Sequence, residues 1–247
     1  LDAHLLLPMS FSLQPNDIGT IVSGTDPLVT WLIPSFLPEG YLIVLAGLPS
    51  VGKSYLAYTL SMALASGIPF CNFPATTPVR VLYFDQENSL PDKNQYLRWA
   101  WHGLGQPARE LIDRNFWLAH FRLGGHDWAA RATEWVLACA PHFIVIDTAS
   151  PCCYILKEND NGEATHVISV LRHLQALVQP MATCLVLKHA KVNTELLPGG
   201  GQNHSIRGAQ AWVGAVDAVL FQVKGKGRPT SDRLFRTSLV LSKGRAF

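Results

Sequence analysis

The chain has 247 residues, 48% of them hydrophobic, with eighteen acidic against twenty basic side chains and a formal charge of +2. That length carries one large α/β domain with a substantial core, although it would also allow two small ones, and a balance so near neutral neither demands nor excludes a nucleic-acid partner. The five cysteines (Cys71, Cys139, Cys152, Cys153 and Cys184), odd in number and without metal-ligand spacing, argue against a secreted disulfide framework and a zinc site.

A reducing cytoplasm fits such cysteines best, and the adjacent Cys152 and Cys153 read as ordinary small side chains. No apolar run approaches a membrane span, so no membrane association is expected. The chain starts at Leu1 instead of Met, as a processed or excised fragment would. Its charge is uneven along the sequence: from Gln222 onward there are seven basic residues and one acid, Asp232, which makes a local basic tail.

In chain order, residues 1 to about 40 are rich in Pro, Ser and Gly and predict an irregular lead-in, with an N-terminal segment at 1–30 and the folded domain from 31 to 247. Short apolar runs with strand character follow at 41–46, 79–84, 116–121, 142–147, 183–188, 217–223 and 238–242. Between the first five lie segments with helical spacing at 53–66, 91–104, 128–140 and 163–178. In the last of these, Val167, Val170, Leu171, Leu174 and Leu177 share one face. Near-continuous apolar strands alternating with helices predict an α/β fold, a mainly parallel central sheet with helices on both faces. "PGGGQNHS" (198–205) reads as a mobile loop.

Directly after the first strong strand comes "GLPSVGKS", Gly47 to Ser54, a match to G-x-x-x-x-G-K-[ST] in its required strand–loop–helix setting. Glycines let the backbone curl so that successive N–H groups and the following helix N-terminus face phosphate oxygens. Lys53 then neutralises charge at the outer phosphates, and the Ser54 hydroxyl is placed to ligate Mg²⁺. The expected ATP-binding residues are Gly47, Leu48, Pro49, Ser50, Val51, Gly52, Lys53, Ser54 and Tyr55.

Hydrolysis also needs an acid for the metal and a group for the attacking water, both at strand C-terminal ends. "FIVIDTAS" ends its apolar run at Asp147, the pattern of a Walker B strand whose Asp holds Mg²⁺ through water, so Ser54 and Asp147 form the expected metal pair. "VLYFDQENSL" offers Asp85 and Glu87. If its strand neighbours the first, one of them faces the γ-phosphate, and the longer side chain of Glu87 suits a group reaching across a water.

"YFDQENSL" resembles the stretch in RecA-type recombinases and hexameric helicases where a Glu just after this strand activates water, the matching position being Glu87. "CLVLKHAK" ends a strand in Lys188 and His189, a polar pair where the sheet delivers residues to the site; in the RecA-like ATPases similar to plasmid RepA helicases, a His here senses the γ-phosphate, so the resemblance implies that Lys188 and His189 report it to the 192–204 loop. "KENDNGEATHVISVLRHLQAL" and "SIRGAQAWVGAVDAVLF" resemble the same family, which makes 192–204 its second DNA-facing loop, with Lys191, His204 and Arg207 as possible DNA contacts. "VLSKGRAF" carries Lys243 and Arg245, similar to the K-x-R pair that in DnaB-type helicases reaches the neighbouring subunit's nucleotide as an arginine finger.

The resemblance implies a RecA-like P-loop NTPase using ATP and Mg²⁺, with Glu87, Lys53, His189, Lys243 and Arg245 catalytic. It further implies a homo-oligomer of about six subunits that moves single-stranded DNA as a helicase or replication protein. Three alternatives stand beside it: a KaiC- or RadA-like ATPase of recombination or signalling, a nucleotide-dependent scaffold, and a small-molecule kinase.

Overall fold

The computed structural model describes residues 29–119, 125–196, 202–206, 210–224 and 237–244, with the backbone alone at 192–196, 202–205, 224, 237 and 243–244. The chain divides into two units, Leu1–Thr30 and Trp31–Phe247. Apart from 29 and 30, the N-terminal segment expected at 1–30 lies outside the described residues, as do Arg207 and Arg245.

The second unit is built on one mixed sheet. Its strands are β3 (Leu42–Gly47), β4 (Val81–Asp85), β5 (Phe116–Ala119), β6 (Phe143–Asp147), β7 (Thr183–Leu196), β8 (Gln202–Ile206), β9 (Ala218–Lys224) and β10 (Thr237–Gly244). They lie in the order β10-β9-β3-β7-β6-β4-β5, with β8 paired to β7 off this path. Strands β9, β3, β7, β6, β4 and β5 run parallel, whereas β10 and β8 pair antiparallel with β9 and β7. A short hairpin, β1 (Trp31–Ile33) with β2 (Leu37–Pro38), occupies part of the region expected to be irregular.

Helices cover both faces because alternate strand residues point to opposite sides and both sets are apolar. Leu42, Val44, Leu82, Phe84, Ile144, Ile146 and Val186 face α4 (Trp128–Cys139) and α6 (Asn161–Ala176). Ile43, Leu45, Val81, Tyr83, Phe143, Val145, Leu185 and Leu187 face α1 (Lys53–Ser66) and α2 (Leu90–Gly103). Three shorter helices, α3 (Arg109–Asn115), α5 (Ala149–Cys152) and α7 (Ala211–Ala215), complete the set among the described residues.

One condition on the layout is not met and one expectation changes. The strand ending at Asp85 does not neighbour the phosphate-loop strand, since β7 and β6 intervene between β3 and β4. The stretch read as a loop at 198–205 is in part a strand: β7 continues to Leu196, and Gln202–Ile206 folds back on it, with Ala190 opposite Ile206 and Val192 opposite His204. All five cysteines are free, Cys71 exposed and the rest buried. Among the described residues, no helix is long and apolar enough to cross a membrane.

Candidate nucleotide site

Period-two alternation decides which strand-end residues reach the phosphate loop. Tyr83 and Asp85, Val145 and Asp147, and Leu187 and His189 are same-side pairs, and Tyr83, Val145 and Leu187 all face α1. Asp85, Asp147 and His189 are therefore delivered to the α1 face, two residues beyond core positions. In register, Asp85 stands opposite Asp147 and Gly47 opposite His189. The same rule separates Lys188 from His189. Lys188 is buried on the other face, its ammonium 5.0 Å from the centre of the Trp212 ring, and does not join the site.

The phosphate loop runs from the end of β3 into α1 through Gly52, whose φ of 97° lies in the left-handed region that suits glycine. No side chain caps the helix, so its first-turn N–H groups open toward the loop as an anion site would require. Lys53 is buried, and its ammonium donates to the carbonyls of Gly47 and Leu48, both at 3.1 Å. Burial lowers its pKa, opposed by the charges of Glu87 and Asp147. Val51 N–H donates to the Leu48 carbonyl at 3.3 Å, and Gln222 on β9 donates its amide to the Val51 carbonyl at 3.3 Å, bracing the loop from the next strand.

Gly47 has no room for a side chain. A Cβ there would lie 2.8 Å from Val51 Cγ1 and 2.9 Å from the Gln222 carbonyl oxygen, and the second of these is backbone. Gly47→Ala should destabilise the fold by about 1–3 kcal/mol through overpacking, read as a lowered thermal midpoint, and weaken nucleotide binding with it.

A cavity of about 240 Å³ opens above the loop. Pro49, Ser50, Gly52, Lys53, Ser54 and Tyr55 form one wall, and Glu87, Asn88, Tyr96, Thr148 and His189 form the other. Asp85 and Glu87 have separate duties. Asp85 is fully buried, with Oδ1 accepting from the backbone N–H groups of Glu87 (3.1 Å) and Asn88 (2.9 Å). Its Oδ2 accepts from Tyr58 (2.8 Å) and the Asn88 amide (3.0 Å), and Lys93 of α2 lies 3.9 Å away. With these partners it holds the 86–88 turn and has no reach into the cavity.

Glu87 is half exposed and faces the cavity, its Oε1 3.4 Å from His189 Nε2. The contact with His189 holds its pKa below the usual carboxylate range, with Thr148 and Lys53 adding in the same direction against the opposing effect of burial. An ionised, weakly basic carboxylate suits orienting a water by accepting its hydrogen. His189 Nδ1 is buried without a hydrogen-bond partner.

Asp147 is fully buried beneath the cavity. Its Oδ2 accepts from Tyr83 at 2.9 Å, while Oδ1 has no hydrogen-bond partner. Burial pushes its pKa up to about 7, and Asp85 adds to the shift, with the Tyr83 and Ser54 hydroxyls pulling the other way. A bare buried carboxylate oxygen near Ser54 fits a cation that takes one or two protein oxygens and draws the rest of its shell from water and phosphate, as Mg²⁺ does. Among the described residues no cluster of three or more His, Cys, Asp or Glu forms a complete metal cage.

The remaining expected residues lie elsewhere. Lys191 is exposed on β7 beyond His189, and His204 sits on β8 opposite Val192. Lys243 is placed by its backbone on the edge strand β10, opposite Val219. Val219 pairs with Val44, three residues before Gly47, so β10 carries Lys243 away from the phosphate loop of its own chain. Asn88, Tyr96 and Thr148 line the cavity although the motifs do not single them out; only Asn88, next to Glu87, and Thr148, next to Asp147, had a signal in the sequence, and Tyr96 had none.

No curated protein sequence matches this chain. Among solved structures, a KaiC-like protein from the hyperthermophilic archaeon Pyrococcus horikoshii OT3 is similar, with a TM-score of 0.56 at 16% identity over 90% of each chain. Identity that low speaks for the fold alone. A family model described as "AAA domain" matches residues 9–195, which span the phosphate loop, Glu87, Asp147 and His189. The match takes in most of the sequence and the whole of the cavity, and the chain belongs to this AAA domain family of nucleotide-binding P-loop proteins with a RecA-like fold.

Proposed function

We propose that this domain binds ATP with Mg²⁺ and hydrolyses it. One observation carries the reading: Glu87, in contact with His189, faces Lys53 and Ser54 across a single cavity while Asp85 is held in the turn beneath. Lys53 and the α1 amides hold the phosphates, Ser54 and Asp147 hold the ion, Glu87 orients the attacking water and His189 reports the γ-phosphate. Bound Mg²⁺ would neutralise charge on the outer phosphate oxygens.

The motor reading builds on this site. Strand β7 leads without a break from His189 into the β7–β8 hairpin, a route by which the state of the phosphates can reach a DNA-facing element. Lys243, with Arg245 two residues on, starts from the end of the sheet remote from its own phosphate loop, which suits action on a neighbouring subunit's nucleotide. A ring of about six subunits translocating on single-stranded DNA follows by resemblance to the RepA and DnaB types. DNA would then be held mainly by phosphate contacts and released by salt.

One observation favours a switch or assembly ATPase of the KaiC or RadA kind. The hairpin strands beyond His189 carry Lys191 as their one Lys or Arg, offset by Glu195, a weak charge set for a phosphate backbone. The test is ATP turnover over a range of protein concentrations, with and without single-stranded DNA at low salt. Turnover per subunit that rises with concentration and again with DNA supports the motor. A rise with concentration alone supports the switch, and slow turnover indifferent to both overturns the shared site.

A further inference from the structure

Two tyrosines lie beneath the site without lining it. Tyr58 on α1 and Tyr83 on β4 are fully buried and stacked, ring centroids 4.3 Å apart and planes 14° from parallel. Their outer faces are flanked by Tyr96, 5.9 Å from Tyr58, and Phe116, 6.2 Å from Tyr83. Phenylalanine would fill this layer equally well, and a buried hydroxyl costs free energy unless it finds a partner. Here each hydroxyl ends on a different carboxylate, Tyr58 on Asp85 and Tyr83 on Asp147.

Those carboxylates lead to different halves of the site. Asp85 holds the N–H groups of Glu87 and Asn88, so its orientation sets the turn that carries Glu87. Asp147 has one oxygen occupied by Tyr83 and one that makes no full hydrogen bond, with the Ser54 hydroxyl close to the carboxylate. An aspartate so held presents a single oxygen in a single direction.

We propose that Tyr58 and Tyr83 are positioning residues that divide the site between them. Tyr83 restricts Asp147 to one free oxygen for the metal's shell, and Tyr58 fixes Asp85 so that the 86–88 turn presents Glu87 to the cavity. The inference rests on the ATP-hydrolysis reading above. Conserving the ring while removing each hydroxyl separates the two roles.

The experiment is calorimetric binding of ADP to the full chain with and without Mg²⁺, together with steady-state ATP turnover, on Tyr83→Phe, Tyr58→Phe and Asp147→Asn. Thermal melts check that each variant is folded. In Tyr83→Phe, the gain in ADP affinity that Mg²⁺ brings should fall about tenfold or more, with Mg²⁺-free affinity unchanged. In Tyr58→Phe, the Mg²⁺ gain should persist while kcat drops about tenfold at constant KM. Equal losses of both quantities in the two variants, or lowered melting points with neither quantity moved, overturn the division of labour. If Asp147→Asn abolishes the Mg²⁺ gain and Tyr83→Phe leaves it intact, the tyrosine inference falls alone. If Asp147→Asn leaves the gain intact, the metal assignment falls and takes the inference with it.

Discussion

Glu87→Gln should lower ATP turnover by roughly 100- to 10,000-fold while nucleotide affinity stays the same or tightens. Gln is isosteric and keeps the 86–88 turn, because the bonds that hold this turn come from backbone N–H groups to Asp85. What it loses is an oxygen able to accept from a water while carrying negative charge beside Lys53 and His189. Single-turnover kinetics with ATP and equilibrium binding of ADP separate the two effects. Turnover within threefold of the parent protein would remove Glu87 from the chemistry and favour a nucleotide-dependent scaffold.

Asp147→Asn should do the opposite to stability: the empty protein becomes more stable as it loses the benefit of Mg²⁺. The folded-state pKa of Asp147 is raised to about 7, so folding is penalised wherever the unfolded carboxyl would be ionised. That penalty is absent below about pH 4, grows as pH rises toward 7, and is fully present above it. Removing the charge should stabilise the empty protein at pH 8 by about 2–4 kcal/mol, several degrees in Tm, and by almost nothing near pH 4. Thermal melts across that range test the sign. A variant less stable than its parent at pH 8 would mean that Asp147 is stabilised in its charged form by something other than the metal.

The strand ladder was legible because parallel strands buried on both faces leave continuous apolar runs, and all seven predicted runs became strands. The hairpin at Trp31–Pro38 was not, since strands of three and two residues around a Pro-containing turn leave no periodicity to read. The short helices at Arg109–Asn115, Ala149–Cys152 and Ala211–Ala215 were missed for the same reason of length. Whether the first two strands are neighbours was not legible, because strand order is a tertiary property, set by crossovers that no single run encodes, and they are not. The placement of Glu87 survives this, since the loop leaving β4 reaches the cavity across the two intervening strands.

Within the site, the choice of Glu87 over Asp85 rested on the family resemblance and on side-chain length, and the geometry adds why Asp85 is unavailable: four donors already converge on it. Pairing Lys188 with His189 overlooked a rule the sequence already offered, that adjacent strand residues face opposite ways. A polar-tipped ring at Tyr83, two residues before Asp85 in an otherwise apolar strand, was a signal of the second layer that passed unread.

The ammonium of Lys53, resting on two loop carbonyls, has a consequence for the speed of nucleotide capture. An exposed lysine must shed its hydration shell as the phosphates arrive, whereas this one lost part of its shell to two carbonyls when the chain folded. The incoming anion therefore meets a cation that can turn from one set of oxygens to another, and part of the rearrangement falls on the loop, in the release of the Gly47 and Leu48 carbonyls.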